Sequence, residues 1–323
     1  MTTSSAQFSN QTLYGIKSGP VRYLWGGYFF FVLLSSLIGD SIILIASIKY
    51  RAFKLHKVIV VIIQHIAVCD LIVSVTYIAP RMISLFADGW ILGDSLCYTY
   101  AYIKYFFNQA GILLICTMTT TKLFMVKYPL RSRTWSAKRG KLICSIAWIL
   151  SLMLPIVSSV IIDASDIAFD YKSYTCDFGF TAEIWNWLAP ALTAAFSVLP
   201  NCLVLATTVK LLIEAKGLAG RQRQSLKWQG IVTTVATSIV YGISVLPYAV
   251  YRILVPVMPS AQPGSFFKIH YYRVSLSFLS LNTISNIYIY SLTVSSFRKF
   301  LRSKLGLSTR MPPATTDGNY SSL

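Results

Sequence analysis

The chain contains seven apolar runs, each close to or beyond the roughly 20 residues a helix needs to cross the hydrocarbon core of a bilayer. They are Tyr23–Ile48, Val58–Ile83, Leu96–Val126, Leu142–Ile162, Ile184–Ile213, Trp228–Val257 and Tyr271–Val294, here spans one to seven. In lipid, helices satisfy their own backbone hydrogen bonds. The expected fold is therefore an all-α membrane protein, a seven-transmembrane helix bundle in one domain. Spans three and five are long, which implies tilt or extension beyond the bilayer. Pro200 and Pro247, inside spans five and six, are expected to kink their helices rather than end them. Composition agrees: 55% of residues are hydrophobic and 12% charged, against about 25% charged in an average soluble domain.

The basic residues orient the bundle. Segments after spans one, three, five and seven hold most of the 29 Lys and Arg, including Lys54, Arg131, Arg139, Lys216, Arg223 and Arg302. The alternate loops hold most of the acids: Asp88, Asp94, Asp163, Asp166, Asp170, Asp177 and Glu183. Basic loops stay in the cytoplasm, so the expected localisation is a multi-pass plasma-membrane protein with its N-terminus extracellular. The net charge of +18 is a topology signal; clusters beside apolar spans contact lipid headgroups and do not point to nucleic acid. Residues 1–22 are expected to be an extracellular tail, 23–305 the membrane domain and 306–323 a disordered cytoplasmic tail. Residues 1–19 lack a signal-peptide pattern, so span one is the expected signal anchor.

Compartment also sorts the cysteines. Cys69, Cys116, Cys144 and Cys202 lie within spans. Cys97 and Cys176 fall on the oxidising side and are expected to form a disulfide. Asn10-Gln11-Thr12 is a glycosylation sequon on the outer side, whereas Asn319-Tyr320-Ser321 is cytoplasmic and expected to stay bare.

From about Trp25 to Leu305 the chain resembles the rhodopsin-like (class A) G-protein-coupled receptors. Gly39 precedes a polar residue in span one. His65-Ile66-Ala67-Val68-Cys69-Asp70-Leu71 resembles the family's span-two Leu-Ala-x-x-Asp-Leu. Trp90, Gly93 and Cys97 match the first outer loop, and Tyr128-Pro129-Leu130 the second inner loop. Trp148, Pro200 and Pro247 match single landmarks of spans four, five and six. Asn286-Ile287-Tyr288-Ile289-Tyr290 is similar to Asn-Pro-x-x-Tyr, and Phe297-Arg298-Lys299-Phe300 to a short amphipathic eighth helix. The departures sit on the family's switching machinery. Asp-Arg-Tyr reads Thr121-Lys122-Leu123, Cys-Trp-x-Pro reads Ser244-Val245-Leu246-Pro247, and the span-one asparagine is Asp40. The span-five tyrosine is Thr208.

Asp40 and Asp70 lie in mid-membrane, where a carboxylate is costly and usually functional. Asn282, Asn286 and Tyr290 recur every four residues on one face of span seven. The resemblance implies a sodium ion at Asp70, with the span-seven asparagines shaping the site and Gly111 replacing a usual serine. Two neighbouring carboxylates could instead share a proton, or the group could be a satisfied polar knot.

At the outer mouth, Lys104 stands two turns below Cys97, where the resemblance places an aspartate in amine receptors. The reversed charge argues against an amine. Lys104, Arg81, Arg252 and Arg273, with Tyr248 beside Pro247, form the expected ligand site. Cations in a half-dry pocket prefer an anion; the alternative is pairing with lid-loop acids such as Asp177. An opsin is not expected, because Ser280 stands where the retinal lysine would be.

On the inner face Lys122 keeps the charge of the family's arginine but not its planar fork. Lys227 sits where many members have a locking acid, so a weakly locked resting state is expected. Lys122, Tyr290 and Lys227 are the expected G-protein-facing switch. The tail's serines and threonines suit phosphorylation and arrestin binding. The leading expectation is a receptor for an extracellular ligand that signals through heterotrimeric G proteins, with no cofactor beyond the sodium ion. The alternatives are a receptor-fold ligand binder or scavenger with weak coupling, and a transporter or channel. No enzymatic cluster stands out.

Overall fold

A computed structural model describes residues 20–50, 52–153, 155–156, 167–171, 173–178, 198–218, 226–257 and 266–306. Span one is helical over Pro20–Ile48 and span three over Asp94–Lys127. Span four begins at Ala137, span five is described from Leu199 to Leu218, span six runs Leu226–Val257 and span seven Phe266–Thr293. The first helix thus starts within the stretch expected to be tail. Among the described residues, four helices are by themselves long and apolar enough to cross a membrane: spans one, two, three and six. Residue ends move outward from the apolar runs because a helix continues until its capping or proline signals, not until hydrophobicity falls.

Span two is not a uniform helix. It runs Lys57–Val73, widens into a π turn over Ser74–Ile78, and resumes over Ala79–Ala87. Pro80 sits just beyond the wide turn. Proline lacks an N–H and crowds the carbonyl of the preceding turn, and a π turn absorbs that misfit without breaking the helix. Span seven shows the opposite case. The family's proline is Ile287 here, and the helix runs unbroken to Thr293. A Cβ on Gly39 would sit 3.1 Å from Ile287, so spans one and seven touch through the glycine.

The main core joins all seven spans through Ile43, Ile62, Leu114, Cys144, Val204, Tyr241 and Tyr290. The eighth helix, Ser295–Lys304, docks on it by Phe297, stacked on Phe53 at 4.7 Å. Large apolar residues such as Leu24, Ile48, Leu205 and Leu292 remain exposed on the outside of the bundle, as lipid contact requires.

The loop after span four carries an antiparallel hairpin, β1 (Ile167–Asp170) and β2 (Thr175–Phe178), with Phe169 opposite Cys176. Cys176 is bonded to Cys97 as expected. The disulfide pins β2 across the start of span three, with Tyr100, Tyr77 and Phe29 packed beneath.

Candidate functional site

A cavity of ≈ 90 Å³ runs from β2 down between spans two, three, six and seven to mid-membrane. Thr175 and Asp177 line its upper end, and Asp70, Gly111 and Asn282 its lower end. Aromatic rings form much of the wall, among them Tyr105, Phe107, Tyr241, Tyr248 and Tyr272.

Of the residues expected to bind ligand, Lys104 and Tyr248 line this cavity. Lys104 Nζ lies 2.8 Å from Asp177 Oδ2 and donates to the Cys176 carbonyl at 3.1 Å. Tyr105 Oη donates to the other Asp177 oxygen at 2.8 Å. The lysine's charge is therefore already met by the lid-loop acid. Arg81 and Arg273 lie elsewhere: both are buried and neither lines the cavity. The Arg81 guanidinium stacks 4.3 Å over Phe29 and donates to Tyr77 Oη, and Arg273 donates to the Tyr171 carbonyl. The wide turn in span two sets the facing of everything after Ser74, Arg81 included, which spacing alone could not show. Arg252 stands on the span-six helix, but its side chain lies outside the described residues, as does Asn10.

Near these arginines Tyr174 donates to Asp88, which also pairs with Arg22 at 2.9 Å. Burial first, then the Asp88 charge, pushes the Tyr174 phenol up to about 12. It stays a neutral donor in this loop.

The lower end of the cavity meets the mid-membrane cluster. Asn286 Nδ2 donates to Asp70 Oδ2 at 2.6 Å. Ser36 Oγ donates to Asp40 Oδ2 at 2.7 Å, and Ser74 Oγ lies 2.6 Å from Ser36 Oγ while also within reach of the Asp70 carbonyl. Spans one, two and seven are thus tied through two acids, two serines and an amide. Asn282 Oδ1, Asn286 Oδ1 and Tyr290 Oη are buried without a hydrogen-bond partner among the described residues. The two serines are absent from the sequence-based site, although Ser36 lies four residues before Asp40 and Ser74 four after Asp70, the spacing of helix neighbours.

At the opposite end Lys122 is buried, 7% exposed. Its side chain lies against span six, where a Cβ on Gly230 would sit 2.5 Å from Nζ. Gly230 carries no signal in the sequence. The side chain of Lys227 lies outside the described residues. Tyr290 packs edge-on against Phe53 at 5.6 Å. Gln229 Oε1 accepts from both the backbone and the hydroxyl of Ser295, joining span six to the eighth helix.

Residues 39–290 match the family described as "7 transmembrane receptor (rhodopsin family)". The chain belongs to that family. The receptor is 27% identical over 138 residues to a D(1)-like dopamine receptor of Oreochromis mossambicus, covering 42% of this chain and 35% of the relative. It is 28% identical over 134 residues to Melanopsin-B of Xenopus laevis, covering 41% of this chain and 25% of that relative. The matched stretch is thus about a third or less of those relatives' length. The family consists of receptors, not enzymes, in line with the sequence reading. The relatives' names, an amine receptor and an opsin, do not support the expectation that this receptor is neither.

Proposed function

We propose that this chain is a plasma-membrane receptor that binds an extracellular ligand beneath the β1–β2 hairpin and signals through heterotrimeric G proteins. The observation that carries the reading is the continuous cavity. It reaches from the hairpin and Lys104 to Asp70, which is bonded to Asn286 of span seven. A ligand held at the top can therefore bias the packing of spans two, three, six and seven through one wall. Differential contact with two packings is what signalling requires. The hairpin end is outside, because the acids and the disulfide lie there and the basic loops at the other end.

The ligand carries an anionic group that Lys104 engages. Lysine at this position disfavours a plain amine, whatever the dopamine relatives bind by name. Ser280 lines the cavity where a retinal lysine would stand, which disfavours a light receptor. The buried, unpartnered Asn282 and Asn286 oxygens next to Asp70 fit a small cation such as sodium. Asp70, Asn282 and Asn286 would hold that ion, which would supply a positive charge beside the Asp70 carboxylate. The Asn10 sequon, the Lys227 side of the switch and arrestin docking on the tail complete the reading.

Lys122 buried against Gly230 favours a second reading, in which the fold binds ligand but couples weakly. One measurement decides between them: G-protein activation in cells, across the main G-protein families, at verified surface expression. Activation by any family supports the receptor; silence in all of them, with and without anionic metabolites and lipids, leaves the weak-coupling alternative.

A further inference from the structure

We propose that the buried corner formed by Arg81, Tyr77 and Phe29, toward the outer end of spans one and two, binds a small monovalent anion such as chloride. The inference does not depend on which ligand the cavity takes.

The physical basis is a buried charge without a counter-charge. Arg81 is 3% exposed. Among the described residues its one hydrogen bond goes to Tyr77 Oη at 3.2 Å, and its buried Nε has no acceptor. The ring of Phe29 covers the guanidinium at 4.3 Å. A ring face and one phenol oxygen solvate a cation only in part, and a charge buried this deeply calls for an anion. The described acids at this end of the bundle serve other cations. Asp88 pairs with Arg22 at 2.9 Å, and Asp177 with Lys104. Asp170 supports the charge of Arg273, which the Arg81 charge opposes. Two like charges, each nearly buried, therefore act on one another across spans two and seven.

A second donor serves the same ion. Tyr77 Oη already accepts from Arg81, which leaves its own hydroxyl proton to donate. Tyr77 belongs to the wide turn of span two and also lines the cavity, so the corner adjoins the space beneath the hairpin. One guanidinium and one hydroxyl among aromatic rings suit a weakly hydrated halide. Sulfate or phosphate would bring more charge than one arginine balances and would lose more hydration on entry.

The test uses purified full-length receptor, with sodium chloride replacing sodium gluconate at constant sodium and ionic strength. The melting temperature should rise and saturate with chloride, as for any ligand of the native state. Bromide should reproduce the rise and sulfate should not. Chloride-35 NMR should show excess line broadening by the receptor that bromide competes away. Arg81→Met keeps an apolar stem against Phe29 and removes the charge. It should abolish both chloride signals, and in gluconate it should melt no lower than wild type, because the uncompensated charge is gone. Tyr77→Phe should weaken chloride about tenfold, the loss of one hydrogen bond to a charged group. Should Arg81→Met fail to fold, Tyr77→Phe carries the test, and unchanged chloride affinity in it overturns the proposal. Equal chloride responses in wild type and Arg81→Met place the ion elsewhere and overturn it too. A flat or non-saturating response in wild type, or one that sulfate shares, leaves Arg81 a structural residue held by Phe29 and Tyr77.

Discussion

Lys122 of span three lies against Gly230 of span six, so close that a Cβ on the glycine would sit 2.5 Å from the lysine Nζ. From charge alone, the lysines on these two spans should repel and leave them loosely held. The geometry adds a steric element: span six can approach only because residue 230 has no side chain. Gly230→Ala is therefore expected to displace Lys122 and part the two helices at the basic end. Overpacking of this kind costs roughly 1–3 kcal/mol, read as a lower melting temperature. Ligand-independent G-protein activation per surface receptor should rise. Adding Lys122→Ala should return much of the lost stability, since the two residues share one contact. Additive losses in the double variant would refute the contact.

The disulfide closes a loop of 79 residues in sequence separation and holds β2 over the cavity. Removing it with Cys97→Ser and Cys176→Ser together is expected to cost roughly 2–4 kcal/mol. It should also free Asp177 from its fixed place beside Lys104. Ligand affinity should then fall further than Tm alone would predict. A variant that melts lower but binds normally would show that the hairpin finds its position without the clamp.

Much of this architecture is legible in the amino-acid sequence. Apolar length marks the spans, and compartment pairs Cys97 with Cys176, because both signals are dictated by lipid and redox chemistry rather than by detailed packing. The four-residue recurrence of Asn282, Asn286 and Tyr290 marks one face of span seven, and Asn286 meets Asp70. Arg81 and Arg273 are legible as cations near the mouth but not as buried ones lying off the cavity. A wide turn beside a proline changes which way every later residue of span two faces, and no periodicity anticipates it. Gly230 is invisible for a simpler reason: its role is an absence of atoms opposite a residue more than a hundred positions away. The β-hairpin is hidden as well, since its two short strands pair only with each other and carry no long alternating pattern.

Asp40 and Asp70 each sit on a buried helix face, 1% and 5% exposed, with serines linking them. Two carboxylates in one apolar bundle repel, and a bound cation relieves that repulsion. Sodium is accordingly expected to raise the melting temperature of purified receptor above its value in choline, by the mass-action stabilisation that any native-state ligand gives. Asp70→Asn should abolish the sodium effect. Asp40→Asn should weaken it while raising stability in choline, because one of the two charges has gone. An equal sodium response in Asp70→Asn and wild type would remove the cation from the proposal and leave a polar knot.

His56 offers a pH dependence at the basic end. Its Nδ1 accepts a hydrogen bond from the Val58 N–H, capping the start of span two at 3.3 Å. Only an imidazole unprotonated at that nitrogen can accept. Burial first, and then the Lys122 ammonium, hold His56 below its ordinary value of 6.5, against an opposing pull from the Ser132 backbone. The sign follows from proton binding. The unfolded chain takes up the His56 proton at a higher pH than the folded receptor does, so acid favours unfolding. The full contribution is present above pH 6.5 and is lost as pH falls through the lowered folded value. Melting temperature should therefore drop between neutral pH and about pH 5. His56→Asn keeps a capping acceptor but cannot titrate, and should remove that part of the drop while leaving stability at neutral pH nearly unchanged. If the two proteins lose stability in parallel on acidification, the titrating group lies elsewhere and the cap does not sense pH.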